Sequence, residues 1–122
     1  MTVLDILNSV KVHFPNTEIG EICQIVNELE KRLIGEIFSL CGLDVRNTPL
    51  DPTKDLNTPL ILDNEHFLIY IYYVYWALAI KDMDTDGANA YANIFNEKFM
   101  SLSIFYRRKY LPVKNTLLSG GV

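Results

Sequence analysis

Fourteen consecutive residues at the centre of the chain, Phe67 to Ile80 (FLIYIYYVYWALAI), hold no charge, four Tyr and the only Trp. A bilayer-crossing helix needs roughly 20 apolar residues, so this run is too short to span one. It is also apolar all round, whereas a surface helix shows one apolar stripe. Such a segment stays in water only when it is covered on every side, by its own chain or by a neighbour. It therefore reads as a buried central helix. A strand is the competing reading, because Ile69 to Tyr75 is rich in β-formers. The length of the run and the helical fit of its flanks favour helix.

Three further helices follow from apolar periodicity. The first, Val3 to His13, aligns Leu4, Leu7 and Val10 and stops at Phe14-Pro15. The second runs from Glu18 to Cys41 behind an Asn16 or Thr17 cap, and Gly42 ends it. Its stripe is Ile19, Ile22, Cys23, Val26, Leu29, Leu33, Ile37 and Leu40, at spacings of three and four. The last runs from Thr85 or Asp86 to Arg108, with Tyr91, Phe95, Phe99, Leu102 and Tyr106 on its inner face. Between helices two and three, Leu43 to Leu62 carries Pro49, Pro52 and Pro59 among Asn and Asp, which is turn chemistry. A loop this long in a small domain is expected to be functional or mobile. Asp63 is positioned to cap helix three. The expected architecture is all-α: a small antiparallel bundle of about four helices, one domain over residues 1–110, with a flexible C-terminal tail over 111–122.

Within helix three, Phe67, Ile71, Val74 and Leu78 form an aliphatic side expected to pack on helices two and four. Ile69, Tyr72, Tyr73 and Trp76 form the other side. Tyr and Trp rings can be buried while their polar tips reach water or a partner, and they are enriched at protein interfaces. These four residues are therefore candidate interface residues, against the simpler reading that they lie beneath the long loop.

Charge is uneven along the chain. Residues 1–106 hold fifteen acids against seven Lys and Arg, a net of −8, whereas residues 107–122 hold four bases and no acid. An acidic body lacks the broad basic surface that phosphate binding needs, so sequence-specific nucleic-acid binding is not expected. Arg107, Arg108 and Lys109 complement the dipole at the end of the last helix. The same triplet is a candidate docking element for an acidic partner. Met1 to Val12 has no signal-peptide pattern, and an intracellular, membrane-free protein is expected.

Reaction chemistry is thinly represented. Cys23 and Cys41 stand 18 apart without CxxC spacing and read as small apolar side chains of helix two. His13 and His66 have no Ser or Cys at a recognisable catalytic spacing. Asp82, Asp84, Asp86 and Gly87 match the opening of a calcium loop, which needs three converging carboxylates and a sharp turn. The match then fails, because Asn93 stands where a bidentate Glu must close the shell. The alternative is a tight turn in which Asp84 or Asp86 caps the last helix. Glu30 sits within the apolar stripe of helix two, so it either snorkels to the edge or pairs with a base across an interface. No catalytic, cofactor-binding or metal-binding residue is assigned, no cofactor is expected, and the chain does not read as an enzyme.

The layout as a whole resembles a known family. A short helix, an acid-capped long helix and a Pro/Asp loop precede the aromatic helix with its Tyr72-Tyr73-Val74-Tyr75-Trp76-Ala77 run. A last helix carries Tyr91, Phe95-Asn96 and Phe99 and ends Tyr106-Arg107-Arg108. This resembles, over residues 3–112, the head-tail connector (adaptor, or head completion) proteins of long-tailed phages and prophages. The resemblance implies a non-enzymatic virion protein, in the cytoplasm during assembly and then in the particle. It also implies a homo-oligomeric ring that meets portal and tail-side virion proteins and contributes to the DNA channel. The alternative is a small cytoplasmic helical adaptor or regulatory protein acting by protein–protein contacts.

Overall fold

The computed structural model describes residues 1–110, all of whose regular structure is helical. Four α-helices, α1 (Val3–Val10), α2 (Ile19–Leu33), α3 (Phe67–Lys81) and α4 (Thr85–Tyr110), form the bundle. The expected tail, 111–122, lies outside the described residues.

α1 starts at a reciprocal cap: Thr2 N–H donates to the Asp5 carboxylate at 2.8 Å, and Asp5 N–H donates to the Thr2 hydroxyl. This capping box satisfies donors that the first helical turn leaves unpaired. The helix ends at Val10, earlier than expected, and its buried face is Val3, Ile6, Leu7 and Val10, with Leu4 only half-buried. Neither Asn16 nor Thr17 caps α2. The Thr17 hydroxyl turns back to donate to the Phe14 carbonyl at 2.8 Å, and Glu18 takes the cap position without a side-chain bond.

α2 is not one continuous helix to Cys41. Its stripe holds through Leu33, with Ile22, Cys23, Val26 and Leu29 buried, and the chain then widens into a π turn over Ile34–Phe38. A π turn inserts an extra residue and rotates everything after it. Ile37 and Phe38, adjacent in sequence, both face inward as a result, and Leu40 is 61% exposed instead of continuing the stripe. Cys41 is half-buried, whereas Cys23 lies in the core. The rotation lets Phe38 meet Tyr106 of α4 edge-on, with ring centres 5.0 Å apart. Gly42, at φ +67°, then stops the helix as expected: Leu43 N–H reaches back to the Phe38 carbonyl at 3.0 Å.

The 43–62 loop is strapped onto the bundle. It buries Leu50, Leu60 and Leu62, and Asn27 of α2 exchanges two hydrogen bonds with the Leu50 backbone, at 3.0 and 2.8 Å. Leu60 N–H also reaches the Met1 carbonyl at 3.0 Å. Asp63 precedes a single 3-10 turn, Asn64–His66, and makes no side-chain cap; His66 stands at the start of α3.

α3 and α4 form an antiparallel hairpin, with His66 near Phe105 at one end and Ile80 beside Ala88 at the other. α4 packs on the aromatic side of α3, not on its aliphatic side. Tyr73 and Trp76 lie 5.1 and 5.9 Å from the Phe95 ring, and Tyr72 and Tyr75 flank Tyr91. Ile71, Val74 and Leu78 are buried in the common core with α1 and α2. Lys81, at the end of α3, pairs with Glu21 of α2 at 2.5 Å.

Candidate functional site

The residues singled out as an interface separate into two groups. Ile69 is 4% exposed, so it belongs to the core. Tyr72, Tyr73 and Trp76 are half-buried with their rings against α4. The covering element is thus α4 and not the long loop. Arg107, Arg108 and Lys109 are exposed in the last turn of α4, and Lys109 extends over the Phe105 and Tyr110 rings.

Glu30 neither snorkels nor waits for a partner across an interface. It is 3% exposed, and its carboxylate takes three donors of its own chain. Arg46 Nη2 donates to Oε1 at 2.5 Å, while Ile61 N–H and the Tyr70 hydroxyl both donate to Oε2 at 2.8 Å. Tyr70 in turn accepts Leu62 N–H at 3.1 Å, and Arg46 Nη1 donates to the Thr48 carbonyl. Burial, reinforced by the Glu30 charge, pushes the Tyr70 hydroxyl far above the usual tyrosine range, so it stays a donor. A groove of about 550 Å³ between α2 and the loop opens above this cluster. Glu30, Arg46 and Asn27 on its walls are already engaged with the chain itself, and the arrangement is that of a clasp holding the loop.

The Asp82–Gly87 turn performs helix termination at both ends. Met83 N–H donates to the Ile80 carbonyl at 3.0 Å and Asp84 N–H to the Ala79 carbonyl at 2.9 Å, closing α3 in a Schellman arrangement. The arrangement needs a left-handed residue, and that residue is Met83, at φ +59°. Asp84 then caps α4, accepting Gly87 N–H at 3.0 Å. A Cβ at residue 87 would overlap the Asp84 carboxyl, so any other residue there requires the capping side chain to shift. No group of three or more His, Cys, Asp or Glu able to hold a metal ion occurs among the described residues.

Met83 is the unusual member of this turn, because an L side chain pays a steric penalty in the left-handed region that glycine avoids. Its side chain is 90% exposed and gains no packing in return. Met83→Gly is therefore expected to raise stability by about 1 kcal/mol, measured as an upward shift of the urea midpoint. A lowered midpoint would show that the Met side chain stabilises the turn within the monomer.

The outer face of α4 is the surface that sequence reasoning missed. Met100 is 65% exposed, and Ile104 and Phe105 are also open to solvent. Met100 and Ile104 border a groove of about 570 Å³ toward α2, with Phe99 and Arg107 on its walls. Arg32 and Glu36 also line it and neutralise each other through a 2.7 Å ion pair. Phe105 and Leu68 border a second groove, of about 490 Å³, along the α3–α4 seam. The readable signal was the departure from helical alternation in Met100, Ile104 and Phe105, large apolar residues outside the inward-facing set. No helix among the described residues is long and apolar enough to cross a membrane. Comparison of the chain with known protein families, with curated proteins and with solved structures finds no match.

Proposed function

We propose that this chain is a non-enzymatic structural subunit that acts through protein–protein contacts, as a connector between the portal of a phage or prophage capsid and its tail. The observation that carries this reading is the C-terminal half of α4. Met100, Ile104, Phe105 and Tyr110 are exposed there beside Arg107, Arg108 and Lys109, on an otherwise acidic body. Met, aromatic residues and Arg are the types enriched where proteins meet, and an exposed apolar patch on a small bundle marks a contact surface. The acidic remainder fits a DNA conduit, since it repels phosphate and lets the duplex slide. The resemblance in layout to connector proteins supplies the specific partner.

Co-sedimentation with the portal ring encoded in the same genome tests this. Wild type is expected to travel with the ring, and an Arg107→Glu/Arg108→Glu double variant is expected to do so more weakly. Absence of wild-type association at every salt concentration would end the connector assignment.

A further inference from the structure

A ring of identical subunits repeats one heterologous contact, so each copy must carry two unlike patches that fit one another. α4 holds such a pair at its two ends, separated by about 39 Å for its 26 residues. At the C-terminal end, Arg107 and Arg108 have no ion-pair partner among the described residues and stand beside exposed Met100 and Ile104. At the N-terminal end, exposed Ile80 and Met83 are flanked by Asp82 and Asp86, which likewise have no ion-pair partner among the described residues. Each patch is apolar, and their charges are opposite.

We infer that the α3–α4 turn of one copy docks on the C-terminal end of α4 of the next. Met83 enters the groove beside Met100 and Ile104, and Asp82 and Asp86 face Arg107 and Arg108. The groove, at about 570 Å³, has room for a methionine side chain, and Arg107 is the cation that its Arg32–Glu36 pair leaves uncompensated. The occupant is a second copy of this chain because the two surfaces complement each other in both charge and apolar character. The contact also gives the strained, solvent-facing Met83 a place to be buried. This inference rests on the ring reading and names the contact that would build the ring.

Sedimentation velocity on the full chain, at millimolar subunit concentration and low ionic strength, tests it. Wild type is expected to form species beyond a dimer that dissolve as salt rises. The Arg107→Glu/Arg108→Glu and Asp82→Lys/Asp86→Lys variants should each be monomeric alone, with association weakened about a hundredfold or more by like-charge contact. Mixed in equal amounts, they should associate again and pass beyond a dimer, because one contact between them is native and the other is complementary with its charges exchanged. Met83→Gly should associate less while melting no lower, which separates contact from folding. A monomeric wild type, a wild type that stops at a dimer, or a mixture that stays monomeric would overturn the inference. A wild-type dimer would point instead to two-fold pairing of α4 with α4. Portal co-sedimentation that survives such a failure would leave the connector reading standing and remove only this contact.

Discussion

Replacing Glu30 by Ala is expected to lower stability by about 3–5 kcal/mol, the range for removing one partner of a buried ion pair. The change leaves Ile61 N–H and the Tyr70 hydroxyl without an acceptor, and Tyr70 is fully buried. Arg46 is 26% exposed and can turn toward water, which places the expected loss in the lower part of that range. Glu30→Gln keeps the shape and one acceptor oxygen, so it should fall between wild type and Glu30→Ala. Urea denaturation of the three proteins reads the order directly. A loss under about 1 kcal/mol for Glu30→Ala, the size of an exposed pair, would mean that the clasp does not hold the loop in solution.

Phe95→Ala is expected to cost a similar about 3–5 kcal/mol, by a different route. Phe95 is completely buried, with the rings of Tyr73, Trp76 and Phe99 at 5.1 to 5.9 Å and the Arg32 guanidinium 5.5 Å from its centre. Removing it opens a cavity at the seam where α4 meets α3, and aromatic pairs add about 0.5–1.5 kcal/mol each beyond the area they bury. Trp76 lies at that seam and reports on it, so its fluorescence should shift to longer wavelength in the variant. A small loss with unchanged Trp76 emission would show that α4 does not pack on the aromatic side of α3.

The parts of this fold legible in the sequence are those governed by a repeating period. Ile22, Val26, Leu29 and Leu33 recur at helical spacing and are buried, and Gly42 stops the helix through its left-handed backbone. Phase was lost where the period changed: the π turn at Ile34–Phe38 adds one residue with no compositional mark, and Leu40 and Cys41 rotate out of place. α3 failed differently. Its apolar residues run all round, so nothing in the pattern says which side α4 would cover. Glu30 was visible as a charge in an apolar stripe, but its partner Arg46 sits in an aperiodic loop, beyond the reach of spacing arguments. For the candidate interface, the cationic end of α4 was legible from local charge. The exposure of Met100 and Ile104 depends on how far α2 and the π turn extend, which is a tertiary property.

The Glu30 clasp has a kinetic consequence. Its partners stand 16, 31 and 40 residues away in the chain, whereas the α3–α4 hairpin closes through the short 82–84 connection. Joining distant segments costs chain entropy before any contact rewards it, so local hairpins form ahead of long-range ties. The clasp therefore belongs to the late side of the folding barrier. Interactions absent from the transition state set how fast a protein comes apart, not how fast it forms. Weakening the Glu30 clasp is thus expected to shorten the lifetime of the folded subunit while leaving the speed of folding nearly unchanged.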